Sequence, residues 1–152
     1  KQVCEVRTGS QSEQFRGGLS WSKSGLFTVG FNTTGANDVY KLDRYGSGLT
    51  NLSKNPGNNY APAWSPDGKL IAFTSKRDGK EQIYVMNADG TGLRRVSQGG
   101  SRDYSPTWSP DGNWIAFASY RNAVADIFMM DTRGGNVTQL STSGGDHPAW
   151  SR

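Results

Sequence analysis

The chain has 152 residues, 34% of them hydrophobic and 11% aromatic, with 20 glycines and a formal net charge of +4. It contains no run of about 18 apolar residues and no cluster of basic residues, so we expect neither membrane insertion nor a nucleic-acid partner. Cys4 is the single cysteine, which excludes a disulfide within the chain. The glycine and aromatic content favours short strands joined by tight turns.

The sequence repeats itself with a period of 42 to 44 residues. The first landmark is a tryptophan followed by serine, at Trp21, Trp64, Trp108 and Trp150. The second is an aliphatic residue in a hydrophobic run, at Val39, Ile83 and Ile127. The third is a tripeptide ending in serine, at Asn51, Arg95 and Gln139. Three landmarks in one register over three units indicate a repeat protein.

Each unit is predicted to form four short strands, A to D. In the second unit, strand A ends near Trp64, and Ser-Pro-Asp-Gly at 65–68 forms a tight turn with glycine at the position of positive φ. Strand B covers 70–75, strand C covers 83–87, and strand D contains 95–97. The first unit, "WSKSGLFTVGFNTTG", lacks the Pro-Asp pair but keeps the glycine of the turn.

Strand B is apolar on both faces. Ile71 and Phe73 point to one side and Leu70 and Ala72 to the other, so neither side suits water. In an antiparallel sheet this pattern indicates sheets stacked on both sides. Four strands in about 44 residues are typical of a β-propeller blade.

The segments "PAWSPDGKLIAFTSKRDG" with "QIYVMNADG", and "PTWSPDGNWIAFASYRN" with "DIFMMD", resemble the WD-like repeat of TolB-type propellers over residues 19–152. The resemblance implies an all-β propeller of four-stranded antiparallel blades, with about 3.5 repeats in this chain. It also implies a periplasmic or extracellular location in the bacterial envelope.

We interpret the chain as a single or partial propeller domain. Its parts are strands C and D of a part-blade at 1–16, blades at 17–60, 61–104 and 105–146, and a closing strand A at 147–152. An open half-ring would leave apolar blade faces uncovered. A homodimer could complete the ring, the chain could close as a four-bladed ring, or it could be a fragment of a longer protein.

The D-to-A and B-to-C loops are expected to meet at one rim, around the channel mouth, where propellers bind partners. Tyrosine and arginine there are the residue types that dominate binding energy when a partner buries them. The candidate binding residues are Asn59, Tyr60, Lys76, Arg77, Lys80, Arg102, Asp103, Tyr104, Arg121, Asp146 and His147.

We expect no catalysis and no metal site. His147 is the single histidine, and Asp146–His147 has no Gly-x-Ser-x-Gly nucleophile elbow to act with. Asp67 and Asp111 are interpreted as turn residues rather than as a catalytic pair. No cofactor is predicted, and calcium is the remaining alternative because related propellers can hold a cation in the channel.

The sequence therefore predicts a non-catalytic scaffold that binds a protein, peptide or other ligand through its rim loops. One alternative is an accessory propeller or fragment of a prolyl-oligopeptidase-like hydrolase. The other is a lectin-like self-assembling propeller, against which the differences between the loops of the three units count.

Overall fold

The computed structural model describes residues 19–23, 27–32, 36–55 and 57–151. These residues form three antiparallel four-stranded sheets, each made of consecutive strands. The part-blade predicted for 1–16 lies outside the described residues. Within the described ranges, no helix is long and apolar enough to cross a bilayer.

Each sheet corresponds to one sequence unit. The first contains β1 (Leu19–Trp21), β2 (Phe27–Asn32), β3 (Asn37–Leu42) and β4 (Thr50–Asn51). The second contains β5 (Asn59–Trp64), β6 (Leu70–Ser75), β7 (Gln82–Asn87) and β8 (Arg94–Arg95). The third contains β9 (Asp103–Trp108), β10 (Trp114–Ser119), β11 (Asp126–Asp131) and β12 (Thr138–Gln139). The predicted all-β propeller architecture of four-stranded blades is confirmed.

The Ser-Pro-Asp-Gly turn is closed by its own side chains. Ser65 Oγ donates to Asp67 Oδ1 at 2.7 Å and accepts the N–H of Leu70 at 2.9 Å. Gly68 has a φ of +73°, a left-handed conformation that glycine adopts without strain. The same contacts recur at 109–114. The aspartates are therefore turn residues, as predicted.

The serine of the third landmark attaches the short fourth strand. Ser97 Oγ accepts the N–H of Ile83 at 2.9 Å and donates to Gln82 Oε1 at 2.9 Å. The equivalent serines accept the N–H of Val39 and Ile127, at 3.1 and 2.8 Å. One side chain thus extends a ladder of only two residue pairs.

The hydrophobic core lies between the sheets, in two layers. Ile71 and Phe73 of β6 pack in the layer between the first and second sheets. Ala72, with Leu70 beside it, packs in the layer between the second and third sheets. Strand B is therefore buried on opposite faces by different neighbours, as its sequence predicted.

Residues 147–151 form no strand in the structure, in contrast to the predicted closing strand A. A strand requires a neighbour for its hydrogen bonds, and in the described sheets no strand pairs with 147–151. Trp150 nevertheless keeps the contact of its repeat position, because its Nε1–H donates to Thr107 O at 3.3 Å. The division of the chain into blade units at the predicted boundaries remains a prediction.

The repeated tryptophans connect successive sheets. Trp108 Nε1–H donates to Ala63 O at 3.0 Å, from the third sheet to the second. Trp64 is equally buried, but its indole N–H has no hydrogen-bond partner within the described ranges. A buried indole N–H without an acceptor has lost its hydrogen bond to water and gained no other, which is unfavourable for folding.

This difference predicts unequal costs for one substitution at two equivalent sites. Trp108→Phe loses the hydrogen bond to Ala63 O, whereas Trp64→Phe removes an N–H that is already unsatisfied. We expect Trp108→Phe to lower the free energy of unfolding by about 1 kcal/mol more than Trp64→Phe does. Urea denaturation followed by circular dichroism measures both, and equal losses would contradict the role of the indole bond.

Candidate binding cleft

The first strands of the three sheets, β1, β5 and β9, lie side by side and form the wall of an open cleft of about 610 Å³. Hydrogen bonds hold the sheets in place along this wall. The N–H of Trp64 donates to Ser20 Oγ at 3.0 Å, and that of Ser105 to Thr74 Oγ1 at 3.0 Å. The cleft is therefore built from the inner edges of successive blades.

Each of β5 and β9 carries a bulge in this wall. Ala61 and Ser105 have φ values of +49° and +54°, where a non-glycine residue is strained by about 1–2 kcal/mol. Pro62 and Pro106 follow them, where the register shifts. Proline has no N–H to donate, so the inner edges cannot take another strand at this level. Recognition in the cleft must therefore use side chains.

Two parallel tyrosines and one arginine form the mouth of the cleft. The rings of Tyr104 and Tyr120 lie 6.0 Å apart with an interplanar angle of 23°. The Arg102 guanidinium lies 5.1 Å from the centre of the Tyr120 ring. Burial and the neighbouring Tyr120 raise the pKa of Tyr104 to about 12, so its hydroxyl stays neutral. The mouth combines aromatic surface with one positive charge.

The carboxylate of Glu81 organises the residues beside this mouth. Arg102 donates to it through Nε and Nη2 at 2.9 and 3.1 Å, and Lys76 Nζ lies 3.1 Å from Oε1. Tyr60 OH donates to Oε1 at 3.4 Å. Burial raises the pKa of Glu81, but hydrogen bonds from Arg102, the backbone and Lys76 outweigh it and lower the pKa to about 2. Glu81 therefore stays ionised and holds two cations.

This lowered pKa predicts an acid-dependent loss of stability. The folded pKa lies below the ordinary value of 4.5, so the stabilisation is complete above pH 4.5 and is lost as the pH falls towards 2. We expect a loss on the order of 3 kcal/mol over this range, and a smaller loss in Glu81→Gln. Thermal melts at pH 7, 4.5, 3 and 2 measure it, and equal acid sensitivity of the two proteins would contradict this account.

Two of the predicted binding residues instead close the end of the second sheet. Asn59 Oδ1 accepts from Ser75 Oγ at 2.7 Å and from Arg77 Nη2 at 3.1 Å. The Arg77 guanidinium lies 4.7 Å from the centre of the Tyr84 ring. Asn59 is fully buried, which corrects the prediction that it contacts a partner.

The third sheet repeats this arrangement with a charged residue. Asp103 Oδ1 accepts from Ser119 Oγ, and Arg121 Nη2 lies 3.5 Å from Oδ2. The Arg121 guanidinium covers the Phe128 ring at 4.9 Å. Asp103 is fully buried, so the prediction that it contacts a partner is also wrong. Asn59 and Asp103 therefore make the same contacts, with a serine and an arginine, at equivalent positions of two units.

The remaining candidates, except Lys80, lie around the cleft. Tyr60, Arg102, Tyr104 and His147 line it, and Lys76 adjoins it through Glu81. His147 Nδ1 lies 2.8 Å from Asp146 Oδ1, and both side chains are exposed. Lys80 lies at the exposed surface, where its Nζ donates to Gly100 O at 2.9 Å.

Sequence reasoning missed Glu81 and Tyr120. Both stand in B-to-C loops that the repeat alignment had already selected, but neither was named. Glu81 aligns with Asn37 and Ala125 in the other units. The available signal for Glu81 was that only one of the three units has a charged residue at this position, directly before a buried strand.

Over 19–23, 27–32, 36–55 and 57–151, no group of three or more His, Cys, Asp or Glu side chains is placed to hold a metal ion. The turn at 87–92 ("NADGTG") uses its carboxylate for its own hydrogen bonds. Asp89 Oδ1 accepts from the N–H and the hydroxyl of Thr91.

Stacked four-stranded sheets around an inner cleft define a β-propeller. Residues 18–152 match the TolB beta propeller domain family, and the chain belongs to that family. The predicted location in the bacterial envelope, on the periplasmic or extracellular side, agrees with the TolB homologues of this family.

Comparison with individual proteins agrees. The chain is 32% identical over 79 residues to a TolB homolog of Chlorobium chlorochromatii, which is 49% of this chain and 18% of that protein. It is 40% identical over 57 residues to the Tol-Pal system protein TolB of Syntrophus aciditrophicus, which is 38% of this chain and 11% of that protein. The solved structure of a TolB from Agrobacterium tumefaciens superposes with a TM-score of 0.76 at 30% identity, covering 87% of this chain and 50% of that one. The chain spans half or less of the length of these relatives.

Proposed function

We propose that this propeller is a non-catalytic scaffold that binds a protein partner at the mouth of its cleft. The observation that supports this most is the half-exposed Tyr104, Tyr120 and Arg102 group. It is held where β9 begins and β10 ends, and there the N–H of Tyr120 donates to Arg102 O at 2.9 Å. Little side-chain entropy is lost when a partner meets groups that are already fixed. One relative is named as a Tol-Pal system protein, so a protein of such an envelope system is the first candidate partner.

A binding role suits the chemistry of the cleft better than catalysis does. The described residues give His147 one hydrogen-bond partner, the exposed carboxylate of Asp146, and no serine or threonine hydroxyl. A triad-type mechanism needs a nucleophile within hydrogen-bond reach of its base. The carboxylate beside the mouth, Glu81, is held ionised by two cations and has no proton to give.

Site-directed photocrosslinking tests this function. We expect a benzophenone side chain at Tyr104 to crosslink one envelope protein, and the same group at Lys69, on the opposite end of the sheets, to crosslink none. Excess unlabelled wild-type chain should prevent the adduct, whereas excess of a Tyr104→Ala, Tyr120→Ala double variant should not. Equal adducts from both positions, or competition by the double variant, would contradict a partner site at the mouth.

We further propose that a second copy of this chain completes the ring. The second sheet buries Ile83 and Val96 to 0% and 1% exposure under the third sheet. The equivalent residues of the third sheet, Ile127 and Leu140, face outward, and Leu140 is 52% exposed. A repeat whose faces are apolar on both sides needs a further blade on this face.

The native mass tests this assembly. We expect light scattering behind a sizing column to give twice the 16.5 kDa of the chain. Leu140→Asp should convert the dimer to a monomer without unfolding it, because the side chain is half-exposed within one chain. Leu93→Asp, at an exposed position of the second sheet, is the matched control. A wild-type monomer would contradict the dimer and favour the four-bladed ring or the fragment.

A further inference from the structure

Arg102 has donors available for a ligand. A guanidinium carries five N–H donors, and Glu81 accepts from two of its nitrogen atoms, Nε and Nη2. The side chain is 53% exposed and borders the cleft. The two bonds to Glu81 fix the plane of the guanidinium, so its remaining donors have a defined direction.

The local charge favours an anion at this point. Arg102 and Lys76 share the single carboxylate of Glu81, whose side chain is only 7% exposed. Two cations on one buried anion leave one net positive charge at this side of the mouth. Asp146 lies near Tyr104 but is largely exposed and pairs with His147, so water screens it more strongly.

The surface next to this charge is aromatic. Arg102 stacks on Tyr120, which stacks on Tyr104. A ligand group that accepts from Arg102 therefore has ring faces directly beside it. Pro62 and Pro106 keep an incoming peptide from pairing as a strand with β5 or β9, so its side chains must make the specific contacts.

Resting on the proposed function, we propose that Arg102 is the carboxylate receptor of the cleft. The partner presents a carboxylate, of Asp, Glu or a chain terminus, that accepts hydrogen bonds from the guanidinium. The adjoining apolar residue of the partner packs on Tyr104 and Tyr120. Glu81 is a positioning residue, because it orients Arg102 without touching the ligand.

Affinity selection from peptide libraries tests this assignment. The full chain is immobilised and offered two random hexapeptide libraries, one amidated at the C-terminus and one with a free carboxylate. Enrichment of Asp or Glu in the amidated library assigns the site to side-chain carboxylates. Enrichment confined to the free-carboxylate library assigns it to a chain terminus.

Substitutions in the selected peptide and in the protein then measure how much the contact between the carboxylate and Arg102 contributes to affinity. Replacing the enriched carboxylate by its amide should weaken binding to the wild-type chain by at least about tenfold, or about 1.4 kcal/mol. Arg102→Gln should weaken binding similarly, Arg102→Lys should weaken it less, and Arg133→Gln, an exposed arginine at the opposite end, should not change it. The peptide substitution reads the contact even if an Arg102 variant folds poorly.

The two proposals fail differently. Selected peptides that lack carboxylates, or that bind equally well as amides, would overturn the role of Arg102 and leave a binding cleft in place. No enrichment from either library would count against peptide binding at the mouth, and so against both proposals.

Discussion

The structure depends on the packing of each sheet against a neighbour on both faces. Ile71 and Phe73 are fully buried against the first sheet, while Ala72 and Val85 are fully buried against the third. Hydrophobic burial contributes roughly 25 cal/mol for each square ångström removed from water, so a blade alone would lose much of its stability. The blades must therefore stack, and stacking brings their first strands together as the wall of the cleft.

Hydrogen bonds make this stacking specific. The N–H of Ser105 reaches Thr74 in the preceding sheet, and the Trp108 indole reaches Ala63. These bonds join the inner strand β9 to the preceding sheet at fixed heights, which sets Tyr104 relative to Tyr60. Within each blade, the landmark serine attaches a fourth strand too short to be held by its own ladder. Residues that recur in each unit thus hold the sheets together, and the strands that line the cleft are fixed by the same contacts.

Residues that differ between the units give the cleft its chemistry. Glu81 and Tyr120 have no counterpart of the same type in the other units, so the mouth has one charged corner and one aromatic corner. Such asymmetry suits one partner in one orientation, and it disfavours equal sites on each blade. By contrast, Asn59 and Asp103 occupy one structural position in two blades, where either side chain can accept hydrogen bonds from serine and arginine.

The amino-acid sequence by itself determined the repeat, the four strands of each unit, the turns and the two-faced core, because these follow from short-range patterns. Period-two hydrophobicity and Ser-Pro-Asp-Gly act over a few residues. Only the tertiary structure decided which loop residues reach the cleft. Asn59 and Arg102 look alike in sequence as polar residues near a strand start, yet the first is buried under Arg77 and the second borders the cleft. The difference depends on contacts across 18 to 21 residues. Arg77 meets Asn59 when strands of one sheet pair, and Arg102 meets Glu81 when two sheets stack.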